Sequence, residues 1–75
     1  MKDFTREIWA YALQNAIEFE KAEVGRILPK LFQHGLEKNK IKAIMPLISE
    51  IAEKVNSLKL EERKKEFDKL QGVVK

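Results

Sequence analysis

Apolar residues recur at helical spacing along most of the chain, and sustained alternation of apolar and polar residues is absent. A period near 3.6 residues is typical of helices with one apolar face, whereas alternation is typical of strands. The pattern therefore predicts an all-α fold of about four helices, over Phe4–Phe19, Glu23–His34, Lys40–Asn56 and from Leu60 to at least Leu70. Because the connections are short, we expect antiparallel neighbours in a small bundle.

The third predicted helix has the longest apolar stripe, formed by Ile41, Ile44, Met45, Ile48, Ile51, Ala52 and Val55. We therefore expect this helix to lie at the centre of the bundle. The stripe keeps its phase across Pro46, which predicts one helix kinked at the proline rather than two separate helices. Pro29 lacks an N–H and presses on the carbonyl of Gly25, so we expect a kink or a break just before it.

The ends of the helices have recognisable signals. Gly35 is placed as the left-handed residue that ends the second helix, and His34 there complements the helix dipole. Asn39 is predicted to cap the third helix. The chain has no linker rich in proline or glycine, so residues 1–75 are expected to form a single domain with a frayed tail at residues 72–75.

Composition excludes several kinds of site. The 75 residues include no cysteine and one histidine, which excludes disulfides, thiolate metal sites and multi-histidine clusters, so we expect no metal. The lack of cysteine fits a reducing compartment, and a cytoplasmic location is expected. The apolar runs are only a few residues long, so no membrane span is expected.

Residues for catalysis are also missing from the pattern. Gly25, Gly35 and Gly72 stand alone and form no phosphate-binding loop, and Ser49 and Ser57 have no neighbouring histidine. The sequence therefore predicts no catalytic residue, no cofactor-binding residue and no cofactor.

The positive charge is concentrated in the middle of the chain. The net charge is only +3, but residues 23–45 hold five basic and two acidic residues, a net charge of +3 within that stretch. This set is the candidate nucleic-acid-binding surface, because basic side chains bind phosphates by releasing counterions: Arg26, Lys30, Lys38, Lys40 and Lys42. A solubilising surface explains the same residues, since no aromatic residue is interleaved with the lysines, and both interpretations stay open.

Asn15 lies at the border of the first apolar face. Its favoured interpretation is a hydrogen bond to a buried backbone group, such as a carbonyl left free by Pro29 or Pro46. The alternative is that Gln14 and Asn15 recognise a partner or RNA through their amides.

Trp9 is expected in the core rather than as a base-stacking residue.

Five segments of the chain are similar to a known family. In their order and rough spacing they resemble the N-terminal helical region of archaeal-type glutamyl-tRNA synthetases, which typically reads as ALQNA-like, KA, VIGKLL-like, PLV-x-E-I-like and VN-x-L-x-x-E-E segments. The counterparts here are Tyr11–Ala16, Lys21–Ala22, Val24–Leu28, Pro46–Ile51 and Val55–Glu62. The resemblance covers nearly the whole chain. The family often has glycine in the turn before the Lys-Ala pair, whereas Phe19–Ala22 of this chain contains none.

The resemblance implies that the chain is an N-terminal fragment of a larger enzyme, one that joins glutamate to its tRNA with ATP. The HIGH-like and KMSKS-like motifs of the family's catalytic domain do not occur here. The implied role is a non-catalytic accessory domain that binds tRNA weakly through charge or positions the catalytic body. The alternatives are a protein–protein docking module of a synthetase assembly and a free-standing helical nucleic-acid-binding protein.

Overall fold

The computed structural model describes residues 4–70 as four α-helices and one 3₁₀ turn. The helices are Thr5–Glu18 (α1), Val24–Gln33 (α2), Ile41–Asn56 (α3) and Leu60–Leu70 (α4), and the 3₁₀ turn Lys38–Lys40 leads into α3. None of the described residues forms a strand. The predicted all-α bundle of four helices is confirmed. The tail predicted to fray, residues 72–75, lies outside the described residues.

The centre of the bundle is α1 rather than the predicted third helix. α1 packs against α2, α3 and α4, whereas α3 packs mainly against α1 and α2. The reason lies in the shape of the two apolar faces. α3 has a long but narrow stripe, while α1 buries residues over a wider arc that includes two alanines, Ala12 and Ala16. Small side chains let neighbouring helices approach closely, so α1 can serve several partners at once.

The apolar core joins α1, α2 and α3. Its buried members are Ile8, Ala12, Leu13, Ala16, Ala22, Ile27, Leu31, Leu36, Ile44, Ile48, Ile51, Ala52 and Val55. α4 contributes no buried residue and covers the core with the partly buried side chains of Phe67 and Leu70. α4 has few apolar residues because it lies on the surface of the bundle.

Both prolines lie inside continuous helices. α2 continues through Pro29, so the break expected there as one possibility does not occur, and α3 continues through Pro46 as one helix, as predicted. Both prolines are exposed. The carbonyls four residues earlier, which lose a helical partner, belong to the exposed residues Gly25 and Lys42 and can bond to water.

The end of α2 follows the prediction, and the start of α3 does not. Gly35 has a φ of +100°, its N–H donates to Phe32, and the next N–H, of Leu36, donates to Leu31. This is the Schellman arrangement of a helix C-terminus. Asn39 lies within the 3₁₀ turn and caps nothing with its side chain, because the turn already supplies the chain reversal before α3.

A side-chain clamp fixes the turn between α1 and α2. The backbone N–H of Ala22 donates to Oδ1 of Asn56 at 2.7 Å, and Nδ2 of Asn56 donates back to the carbonyl of Ala22 at 3.1 Å. Two residues earlier, Glu20 has a φ of 67°, a left-handed conformation that favours glycine. Glu20 therefore adopts, at some conformational cost, a backbone conformation that glycine adopts freely.

One arginine of α4 bonds to the ends of two other helices. Nη1 of Arg63 donates to the carbonyls of Ala16 at 2.9 Å and Glu20 at 3.2 Å, both at the end of α1. Its Nε donates to the carbonyl of Val55 at 3.3 Å and its Nη2 to that of Asn56 at 3.2 Å, at the end of α3. Arg63 thus supplies donors to carbonyls at and just beyond two helix ends, where the helical ladder of hydrogen bonds stops; the carbonyl of Val55 also accepts from the N–H of Leu58 at 3.0 Å.

Replacing Arg63 by Met should lower the free energy of unfolding by about 1.5–3 kcal/mol, because several charge-assisted hydrogen bonds are removed together. Urea denaturation followed by circular dichroism measures the change. The control is Lys64→Met on the same helix, where an exposed side chain is replaced and the expected change is within about 0.5 kcal/mol. Equal midpoints for the two variants would show that Arg63 does not hold the helix ends together.

Glu20→Gly should raise the free energy of unfolding by about 0.5–1 kcal/mol, because glycine adopts a φ of 67° without steric cost. Glu37→Gly is the matched control, since it makes the same change of charge at an exposed residue with a φ of −88°. Glycine there only increases the freedom of the unfolded chain and should lower stability. Melting temperatures that shift in the same direction for both variants would contradict the expectation.

Candidate nucleic-acid interface

The five basic side chains predicted to bind nucleic acid are all exposed. Arg26 and Lys30 lie one turn apart on α2. Lys38 and Lys40 belong to the 3₁₀ turn, and Lys42 lies in the first turn of α3. Each is therefore accessible to a partner.

The structure sorts these side chains into two groups. Arg26 and Lys30 line a groove between α1 and α2. Lys40 lines a different cavity, beyond the C-terminal end of α2, beside Gly35 and Leu36. The fold thus has one pair of cations along α2 and three lysines at the turn into α3, the two subsets that their spacing along the sequence indicates.

The charges of the two groups are engaged to different extents. Nε of Arg26 lies 3.2 Å from Oε1 of Glu23, with both side chains about half exposed (49% each). Among residues 4–70, the four lysines form no ion pair. An exposed ion pair of this kind is weak, so Arg26 stays available to a stronger partner, and the lysines are available without any rearrangement.

The groove between α1 and α2, called here the α1/α2 groove, has a volume of about 290 Å³. Its lining combines amides, a carboxylate, an aromatic ring and two cations: Gln14, Asn15, Glu18, Phe19, Arg26 and Lys30. Cζ of Arg26 lies 4.1 Å from the centre of the Phe19 ring, within the range of a cation–π contact. Phe19 is nevertheless 51% exposed, so an apolar ring faces solvent beside two positive charges.

Asn15 does not make the hydrogen bond that the sequence suggested. The residue is buried, at 6% exposure, but its Oδ1 has no hydrogen-bond partner among the described residues. The backbone groups near the prolines are not reached, because Pro29 and Pro46 are exposed while Asn15 lies buried beside the α1/α2 groove. A buried amide oxygen without a donor is rare and costs free energy.

The second cavity is mostly apolar and has a volume of about 450 Å³. It is called here the apolar cavity, and its lining is Phe4, His34, Gly35, Leu36, Glu37, Lys40, Ala43, Ile44 and Leu47. Lys40 and Glu37 stand at its polar side. The cavity therefore places apolar side chains next to the lysine cluster.

The aromatic residues of α1 have structural contacts. Trp9 is partly buried against the core, as predicted. The hydroxyl of Tyr11 pairs with Nε2 of His34, and the two rings are 5.5 Å apart. His34 thus links the end of α2 to α1 in addition to its position at the helix terminus.

Phe19 is the candidate residue that the sequence pattern did not single out. The pattern places Phe19 only as the last residue of the predicted first helix. A usable signal was its position between Glu18 and Glu20, because a large apolar residue among charged ones at a helix end has little core to enter.

The described part of the chain offers neither a metal site nor a membrane helix. Within residues 4–70, no group of three His, Cys, Asp or Glu side chains is placed to hold a metal ion. In the same range, no helix is long and apolar enough to cross a membrane.

The two buried or partly buried asparagines should respond in opposite ways to the same substitution. Asn15→Leu should raise the free energy of unfolding by about 1 kcal/mol, because it removes an unpaired polar atom and keeps the branched shape. Asn56→Leu should lower it by about 1–3 kcal/mol, because the N–H and C=O of Ala22 lose their partners. Thermal melts of both variants test this, and a loss of stability in Asn15→Leu would mean that Asn15 has a structural partner.

Comparison with known proteins relates the chain to an aminoacyl-tRNA synthetase. It is 40% identical over 68 residues to a glutamate–tRNA ligase of Pyrococcus furiosus. The match covers 80% of this chain and 11% of that protein, so the chain spans about a tenth of the length of this relative. No protein-family model matches the chain, and no solved structure matches it. The chain is therefore related in sequence to a segment of a glutamate–tRNA ligase.

Proposed function

We propose that this chain is a non-catalytic accessory domain of a glutamate–tRNA ligase, placed at its N-terminus, and that it helps to hold tRNA. The observation that carries the proposal is the 40% identity to a segment of the Pyrococcus furiosus ligase. The name of that protein states that it acts on tRNA. The lining of the two cavities described above offers charge and recognition groups, and it contains no arrangement recognisable as a catalytic site.

The contact with tRNA is electrostatic and centred on the lysine cluster. Lys38, Lys40 and Lys42 fall within five consecutive residues, and among the described residues they have no carboxylate partner. Cations held so close together attract successive phosphates, and binding releases the counterions of those phosphates. Arg26 and Lys30 extend the contact along α2. Because the contacts are few, the domain alone binds weakly, at about micromolar affinity or worse, with little sequence preference.

The second candidate function is docking to a protein, either the catalytic body of the same enzyme or a synthetase assembly. The apolar cavity favours it, because an open apolar surface of this kind is a common feature of interaction sites. The cavity adjoins Lys40, so the two candidate functions use neighbouring surfaces. The relation to a ligase segment favours both over a free-standing nucleic-acid-binding protein.

Reversing the charge of the lysine cluster tests the first function. The triple variant Lys38→Glu, Lys40→Glu, Lys42→Glu should bind tRNA more weakly at low salt. The slope of its affinity against salt concentration should also fall, by roughly 0.7–0.9 for each phosphate that the variant no longer neutralises. Titration of tRNA at two salt concentrations measures both quantities.

The matched control for the triple variant makes the same change of charge elsewhere. Lys59→Glu, Lys64→Glu, Lys65→Glu alters three exposed lysines of the α4 region and should bind more tightly than the triple variant of the cluster. Equal affinity of the wild-type domain and the cluster variant at low salt would exclude the tRNA contact and favour docking.

A further inference from the structure

The α1/α2 groove has the size of a site for one small ligand. Its volume of about 290 Å³ is near the lower limit for pockets that bind small molecules. It is bordered by two helices, so its shape is set by the packing of α1 on α2. The groups around it are polar, charged and aromatic together, which is the combination expected for a ligand with a flat ring and a charge.

One side of the groove is a platform for a flat ring. The Phe19 ring and the Arg26 guanidinium are stacked at 4.1 Å, and about half of each side chain is exposed. Unpaired bases stack on aromatic rings and on guanidinium planes in proteins that bind single-stranded RNA. A Phe–Arg pair offers both surfaces at one place.

One residue that lines the groove has a buried polar atom without a hydrogen-bond partner among residues 4–70. Oδ1 of Asn15 is buried and accepts no hydrogen bond from the described residues, although Asn15 lines the groove. Oδ1 is enclosed in the present side-chain conformation, and because the last torsion of an asparagine side chain is broad, rotation about it would bring the amide to a ligand in the groove. The edge of a base has an N–H donor next to an acceptor, which is the complement of an amide.

The charges set the orientation of the ligand. Lys30 lies one turn from Arg26 on α2 and forms no ion pair among residues 4–70. Glu18, on the α1 side, accepts a long hydrogen bond from Gln14 at 3.4 Å. A phosphate is attracted to Lys30 and repelled by Glu18, so it lies on the α2 side of the groove.

We propose that the α1/α2 groove binds one unpaired nucleotide of RNA, with the base stacked on Phe19 and Arg26 beside Asn15, and with its phosphate at Lys30. The inference rests on the proposed function, which supplies RNA as the partner. It goes further by assigning recognition of an unpaired base to a place separate from the lysine cluster. The groove then adds a preference for RNA with an exposed base to a contact that is otherwise made with phosphates.

The test uses two fluorescent RNA duplexes that differ in one group. The first has a one-nucleotide adenosine overhang, and the second has the same overhang without its base. Fluorescence anisotropy of each with the full chain should give an affinity about fivefold or more higher for the duplex with the base, the size expected for one stacked base. Equal affinities would overturn the inference.

Variants assign the difference to the groove. Phe19→Leu and Asn15→Leu should each remove most of the preference for the base, and Lys30→Gln should weaken binding of both overhangs. Phe32→Leu is the matched control, because Phe32 is an exposed phenylalanine of α2 that does not line the groove. It should keep the preference. Thermal melts confirm that each variant is folded, and the Phe19 variant still tests the base preference if Asn15→Leu does not fold.

Two further outcomes separate this inference from the proposed function. If both duplexes bind equally and the Lys38, Lys40, Lys42 variant binds neither, the tRNA contact stands and the base site is overturned. If neither duplex binds the wild-type chain, the proposed function fails together with the inference.

Adenosine monophosphate serves as a competitor in the same assay. If it displaces the overhang at equal concentration, the groove is a site for a free nucleotide rather than for RNA, and the inference is overturned.

Discussion

The arrangement of the bundle depends on one electrostatic constraint, which Arg63 satisfies. The C-termini of α1 and α3 lie close enough together for one guanidinium to bond to both, through the carbonyls of Ala16 and Glu20 and those of Val55 and Asn56. Each helix C-terminus has a partial negative charge and carbonyls without helical partners, so two such ends repel each other. A planar cation with five donors counters the repulsion and satisfies the carbonyls at the same time.

The segments that resemble glutamyl-tRNA synthetases contain several of the residues that maintain this arrangement. Asn56, from the Val55–Glu62 segment, clamps Ala22, from the Lys-Ala pair, through two hydrogen bonds. The quoted segments therefore include residues that hold the turn between α1 and α2 against the end of α3. The lysines proposed to contact RNA lie outside the quoted segments.

Local features of this structure were predictable from the sequence, and contacts between distant residues were not. The apolar period predicted the four helices to within a residue or two, and Gly35 ended α2 because its conformational freedom is a property of the residue itself. Asn39 failed as a cap because a 3₁₀ turn took its place. Arg63 and Ala16 are 47 positions apart, and nothing in a charged surface helix distinguishes an arginine that reaches two helix ends from one that meets only water.

The candidate site shows the same limit. The exposure of the five basic residues followed from their chemistry, and their two subsets followed from their spacing. The cavities that Arg26, Lys30 and Lys40 line depend on how α2 and the 3₁₀ turn are placed in the bundle. Asn15 was expected to bond to a buried backbone group, but its Oδ1 has no partner among the described residues. The sequence can indicate that a side chain is enclosed, but it does not show which groups surround that side chain. The stacking of Arg26 on Phe19 needs a specific geometry of the turn between α1 and α2.

The least buried helix also contacts that turn, through the hydrogen bond of Arg63 to the carbonyl of Glu20. α4 has no buried residue and is attached through partly buried side chains and through arginine contacts near both of its ends, Arg63 as described and Arg6, whose Nη2 donates to the carbonyl of Leu70 at 2.7 Å. Elements with few buried contacts open at lower free energy than the core. When α4 opens, the carbonyl of Glu20 loses its donor and the left-handed turn that positions Phe19 loses part of its support. Phe19, which lines the α1/α2 groove, is therefore the direct neighbour of a residue whose carbonyl is bonded to α4.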